Sequence, residues 1–125
     1  MKILVAEKNE VVRNAISYIL SNEQYDIELV KNGKEAYEAL ENNRFDLLIT
    51  NLFLKYFSGF ELISYLKKEN IPTKIMVISE SFTADNMYRL YEMGIDEMIE
   101  KPFIPMELIC RTKKLAEIIE KKISF

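Results

Sequence analysis

The sequence predicts an alternating α/β fold in which five strand–helix units share one parallel sheet. Three observations carry that expectation. Short apolar runs such as Ile3-Leu4-Val5-Ala6 and Leu47-Leu48-Ile49 alternate with longer amphipathic stretches. The short runs show no polar alternation and stop abruptly at polar residues, the pattern of strands buried on both faces. The chain has 125 residues, 49% of them hydrophobic and 30% charged, enough for one cored domain spanning residues 1–125 and too apolar for global disorder.

The elements follow in order. Ile3–Ala6 is the first strand and ends at Glu7-Lys8-Asn9-Glu10. Asn9 is placed to cap a helix with Val12, Ala15, Ile16, Ile19 and Leu20 on one face. Ile27–Val30 is the second strand. The turn chemistry of Asn32-Gly33 leads into a helix bearing Ala36, Ala39 and Leu40. Leu47–Ile49 is the third strand, ending at Thr50-Asn51, and residues 52–58 read as a loop. Ser58 then caps a helix with Phe60, Ile63 and Leu66. Pro72 breaks the chain before the fourth strand, Ile75–Ile78. Ser79-Glu80-Ser81 precedes a helix with Met87, Leu90 and Tyr91, closed by Gly94. Met98-Ile99 is a short fifth strand, Lys101-Pro102 ends it, and a last helix runs from about Pro105 to Lys122. Strands alternating with helices imply right-handed crossovers and a three-layer sandwich.

Composition removes several functions. There is no His, so Ser-His-Asp and Cys-His catalysis are excluded. The single Cys cannot form an internal disulfide, and no Cys/His cluster suits zinc. Cys110, at helical spacing, reads as a small core residue. A net charge of −3 argues against direct nucleic-acid binding. No apolar run approaches the ~18 residues of a membrane span, and Met1–Val5 is too short for a signal peptide, so the expected setting is the cytoplasm.

Ligands of open parallel sheets bind beyond the carboxyl ends of the strands, at the point where strand order reverses. For the flavodoxin-like order 2-1-3-4-5 that point lies between strands one and three. Glu7, Lys8, Asn51, Ser79 and Lys101 follow the relevant strand ends and are expected to share a crevice. The first loop lacks the glycines of a P-loop or a dinucleotide fingerprint. Glu7 and Glu10 would also repel a flavin phosphate.

These stretches together resemble the receiver domain of bacterial two-component response regulators. The resemblance is carried by residues 2–7, Asn32–Ala36, Asp46–Leu52, Ser58–Leu62 and Gly94–Phe103, and covers essentially the whole chain. The Lys-Pro-Phe stretch after a Gly-x-Asp run is its most specific element. The resemblance implies two acids after strand one that hold Mg²⁺ and an Asp after strand three that accepts a phosphoryl group from a histidine kinase. It also implies a Ser/Thr and a Lys on the phosphoryl oxygens, and a switch aromatic on strand five. The matching positions here are Glu7, Lys8, Asn51, Ser79, Lys101 and, for the aromatic, Met98; the usual Pro of the third loop is Lys55.

The departures fall on the residues that carry the chemistry. A neutral Asn51 amide is not the anionic oxygen nucleophile that phosphoryl transfer needs. Three acids and a lysine leave two net negative charges in the family; Glu7, Lys8 and Lys101 leave one net positive. Unit charges ~4 Å apart at a partly solvated site interact by ~4 kcal/mol, so Mg²⁺, which demands hard oxygen ligands, is not expected and no cofactor is foreseen. Lys8 is expected to replace the cation, pairing with Glu7 or the Asn51 oxygen. Met98 offers no ring to swap between two pockets.

The expectation is a degenerate, pseudo-receiver signalling domain: not an enzyme, and acting through protein–protein contacts without Asp phosphorylation. Its alternative is a receiver that still switches, through a residue such as Ser79 or a small ligand in the crevice. The family's usual partner face is helix four, strand five and helix five, where Tyr88 and Tyr91 fall. Tyr56 and Phe57 in the third loop are either packed on a helix or shown to a partner. On the last helix Arg111, Lys113, Lys114, Lys121 and Lys122 outnumber Glu117 and Glu120. That reads as a solvated face or, more sharply, a salt-bridged homodimer.

Overall fold

The computed structural model describes the backbone of residues 1–123 and side chains through residue 121. The chain runs β1 (Lys2–Ala6), α1 (Glu10–Leu20), a 3₁₀ turn (Ser21–Glu23), β2 (Asp26–Val30), α2 (Gly33–Asn42) and β3 (Leu47–Thr50). It continues through α3 (Gly59–Lys68), β4 (Lys74–Ser79), α4 (Ala84–Met93), β5 (Glu97–Glu100) and α5 (Pro105–Ile123). The five strands pair in parallel in the order β2-β1-β3-β4-β5, the expected flavodoxin-like arrangement.

Successive strand side chains point to opposite faces, so each central strand feeds two cores. Leu4, Ala6, Leu48 and Val77 pack with α2, α3 and α4 through Leu40, Leu62, Leu66 and Leu90. Ile3, Val5, Ile49 and Ile99 pack with α1 and α5 through Ile16, Leu20, Leu108 and Leu115. Each of these buried aliphatic side chains contributes ~1.5–3 kcal/mol of transfer free energy. The edge strand β2 alternates instead, with Asp26 and Glu28 outward.

Local chemistry sets the helix starts. Asn9, Asn32, Ser58 and Thr83 each accept a hydrogen bond from a first-turn backbone N–H, at α1, α2, α3 and α4 respectively. Ser58 and Glu61 form a reciprocal capping box. Gly94 ends α4 in the left-handed region at φ 77°.

Two expectations fail on α1 and α5. Ala15 is exposed, because only Ile16 and Leu20 of α1 reach the core fully. Cys110 is also exposed. On α5 the inward stripe is Leu108, Thr112, Leu115 and Ala116, and Cys110 falls outside it. The positive charge of α5 is largely consumed within the chain. Arg111 and Lys114 both reach Glu97, and Lys113 reaches Glu23. The Lys122 side chain lies outside the described residues.

Candidate functional site

Strand register builds the crevice. Ala6 pairs with Thr50, which places the next residues, Glu7 and Asn51, side by side. Ser79 pairs with Glu100, which brings Lys101 to the same edge. Backbone bonds pin these positions: Glu7 N–H donates to Val30 C=O, Asn51 N–H to Ala6 C=O and Lys101 N–H to Ser79 C=O. The Lys101–Pro102 peptide bond is cis.

Glu7, Asn51 and Lys101 converge on one network. Glu7 is only 2% exposed, yet both carboxylate oxygens are engaged. Oε1 accepts from Lys101 Nζ and, at 3.3 Å, from Asn51 Nδ2. Oε2 accepts from the Asn9 backbone N–H at 2.9 Å. The Lys101 side chain is 8% exposed and also reaches Glu80, itself a largely exposed residue, at 3.5 Å. A buried charge needs such a counter-charge and such donors to offset desolvation.

The Asn51 amide is oriented by its two neighbours. Its Nδ2 faces the carboxylate, and its Oδ1 accepts from Phe53 N–H at 3.2 Å, an Asx-type turn. Reversing the amide would set oxygen against oxygen at Glu7 and N–H against N–H at Phe53. The side chain therefore fills a structural role at the strand end and a polar role in the crevice together.

The lysine that neutralises Glu7 is Lys101, which corrects the expectation for Lys8. Lys8 is exposed, and no ion pair or side-chain hydrogen bond joins it to Glu7 or Asn51. The physical reason is local: Lys101 takes the Glu7 carboxylate, while Lys8, beyond the end of β1, stays exposed. Arg13, unforeseen from sequence, does reach the site, donating to Glu7 C=O at 2.9 Å. Its signal was a lone cation on the inner side of α1, one turn past the cap.

Ser79 is 1% exposed at the end of β4. Met98 is half-buried and packs against the α2/α3/α4 core together with Phe82. Met98 and Phe82 also line a cavity of about 470 Å³ with Met87, Glu100 and Arg111. The third loop divides its aromatics: Phe57 stacks at 5.2 Å on Tyr37, whereas Tyr56 is 64% exposed at φ 73°. Among the described residues no three acidic, His or Cys side chains gather as a metal site. No helix among them is long and apolar enough to cross a membrane.

The sequence profile of the response regulator receiver domain matches residues 3–113. The chain belongs to that family. Receiver domains are signalling domains of two-component systems. The transcriptional regulatory protein SrrA of Staphylococcus aureus is 29% identical over 114 residues, covering 91% of this chain and 47% of SrrA. The chain thus spans about half the length of the curated relatives it matches. Among solved structures, the receiver domain of Francisella response regulator 1452 superposes with a TM-score of 0.87 at 27% identity, over 94% of this chain and 98% of that one. The non-phosphorylated HemR receiver domain of Leptospira biflexa gives 0.84 at 27% identity, over 91% of this chain and 92% of that receiver domain.

Proposed function

We propose that this receiver domain signals through protein contacts and does not use phosphoryl transfer at residue 51. One observation carries the reading: the buried Glu7 carboxylate is already claimed by Lys101 Nζ, the Asn51 amide and the Asn9 N–H. The family's metal does not fit this donor set. Mg²⁺ would have to displace the Lys101 ammonium from Glu7 and take a neutral amide and an exposed ammonium in place of two acids. The network holds the crevice in one arrangement, so the domain presents a fixed surface. Burial of Ser79 counts against the alternative in which its hydroxyl accepts the phosphoryl group.

The partner surface in this reading is α4–β5–α5. Tyr88 and Tyr91 are 65% and 77% exposed there, and half-buried Met98 floors the adjoining groove. Exposed tyrosines on a rigid helix are favoured anchors for a protein partner. The working location is the cytoplasm.

The test is intact mass after incubation with acetyl phosphate and Mg²⁺. We expect the mass to stay unchanged, and no shift in elution with beryllofluoride. A stable gain of about 80 Da, one phosphoryl group, overturns the proposal.

A further inference from the structure

Three loops meet at the carboxyl edge of the sheet, on its β2 side. Glu7 N–H donates to Val30 C=O, which joins the end of β1 to the end of β2. Gly33 N–H donates to Lys55 C=O at 3.0 Å, which joins the β2–α2 turn to the third loop. Segments 7–10, 31–35 and 53–56 therefore share one surface. Lys8, Lys31, Lys34 and Lys55 lie on it, all exposed, and none has an ion-pair partner among the described residues. Of the acids on these segments, Glu7 is offset by Lys101, and Glu35 accepts from the Lys31 backbone N–H. Against Glu10 and Glu35 the four lysines leave two net positive charges here, in a chain that carries −3 overall.

Two large aromatic side chains stand among the lysines. Phe53 is 54% exposed and Tyr56 64%. The backbone fixes both. Phe53 N–H donates to Asn51 Oδ1 at 3.2 Å, and Phe57 N–H closes a three-residue turn on Lys55 C=O, with Tyr56 at its apex at φ 73°. A positive φ is costly for a bulky residue, and here it holds the ring out in solvent rather than in a core. Lys55 Nζ sits 5.6 Å from the centre of that ring.

We propose that this edge docks on an anionic membrane surface, with Phe53 and Tyr56 at the headgroup level and the four lysines on the lipid phosphates. The inference stands apart from the reading of the crevice and leaves α4–β5–α5 free for a protein partner. Protruding side chains suit a planar surface, whereas an acidic peptide or a single nucleic-acid strand is taken up in a groove. Rings with a polar tip and lysines with an apolar stem both belong at a membrane–water boundary. Each lysine near an anionic leaflet strengthens binding about fivefold. Glu41 and Glu69 sit at the far ends of α2 and α3, ~12 Å or more along the helix axes from this edge. That exceeds the Debye length of ~10 Å at 0.1 M salt, so they do not cancel the pull.

The experiment is co-sedimentation of the whole chain with vesicles of equal parts phosphatidylglycerol and phosphatidylcholine. We expect half-binding at roughly 0.1–1 mM lipid in ~50 mM salt, none on pure phosphatidylcholine, and at least a tenfold loss at ~0.5 M salt. Lys31→Glu with Lys34→Glu and, independently, Phe53→Ser with Tyr56→Ser are expected to weaken binding at least tenfold with unchanged far-UV spectra. Lys67→Glu with Lys68→Glu makes the same charge change at the far end of α3 and is expected to keep binding within threefold. The chain has no Trp, so Phe53→Trp supplies a single reporter whose emission should move to shorter wavelength on the anionic vesicles alone. A chain that stays in the supernatant at ~5 mM anionic lipid overturns the proposal. So does binding that survives reversal of Lys31 and Lys34, binding lost equally on reversal of Lys67 and Lys68, or tighter binding to polyglutamate or a thymidine oligonucleotide than to the vesicles.

Discussion

Replacing Lys101 by Met probes the bond on which the crevice reading depends. The ammonium disappears while the stem keeps its packing. The Glu7 carboxylate, its side chain 3% exposed, is left with the Asn51 amide and the Asn9 N–H alone. Breaking a buried pair from one side costs ~3–5 kcal/mol, because a charge stays buried without its counter-charge. At roughly 4 °C per kcal/mol for a domain of this size, the melting temperature falls by roughly 12–20 °C. Glu7→Gln loses less, ~2–4 kcal/mol, since the Lys101 ammonium retains Glu80 at 3.5 Å. The double variant removes both desolvation terms together and is expected to sit within ~1–2 kcal/mol of the parent, for a coupling of ~3 kcal/mol or more. Urea unfolding followed by circular dichroism measures all four corners of the cycle, with equal m-values as the check on the two-state assumption. A coupling below ~1 kcal/mol is what solvent-exposed pairs give, and it would show that Lys101 and Glu7 do not lock the crevice.

Four further outcomes follow from the same contacts. Asn51→Asp sets a second carboxylate against Glu7 and is expected to cost ~1–3 kcal/mol without metal; combined with Lys8→Asp it should acquire a Mg²⁺-dependent rise in melting temperature that the parent lacks. Gly33→Ala would place a Cβ 1.8 Å from the Phe57 carbonyl oxygen, so the third loop must move; expect a loss above ~3 kcal/mol and a changed Tyr37–Phe57 near-ultraviolet signal. Ser58→Ala removes one arm of the α3 capping box, and the urea midpoint should report a loss of ~1 kcal/mol. Burial, and then Glu23, Glu120 and Glu117, raise the Tyr25 hydroxyl above its ordinary 10.0, so the native state holds that proton more tightly than the unfolded chain. Stability is therefore unaffected by this group below that value and falls as pH climbs past it; Tyr25→Phe should flatten the fall in urea midpoints measured over pH ~9–11.

The fold was legible because period, caps and stops agreed. Apolar runs marked β1, β3 and β4, and Asn9, Ser58 and Gly94 marked helix ends where the structure has them. The candidate site was legible as a set of strand ends, and register then joined Glu7, Asn51 and Lys101. Which lysine meets Glu7 was not legible from charge. Counting Lys8 and Lys101 gives the same sum whichever one points inward. The answer lies in the backbone pinning of Lys101 by Ser79, which carries its ammonium to Glu7 while Lys8 stays exposed. Cys110 failed for a related reason: helical spacing admits a family of faces, and only packing against the sheet selects Leu108, Thr112 and Leu115.

Arg13 shows the same limit of spacing on α1. Apolar spacing on α1 explains Ile16 and Leu20, but not why its one mid-helix cation turns toward the sheet edge. The Glu7 and Lys8 carbonyls, left without strand partners where β1 ends, draw the guanidinium back. The residue thus finishes the crevice on the side of α1 that faces the end of β1. An Arg13→Met variant tests that contact. Loss of the carbonyl contacts should cost ~1–3 kcal/mol in urea unfolding. A variant as stable as the parent would mean that water satisfies those carbonyls equally well and that the guanidinium is held only by its packed stem.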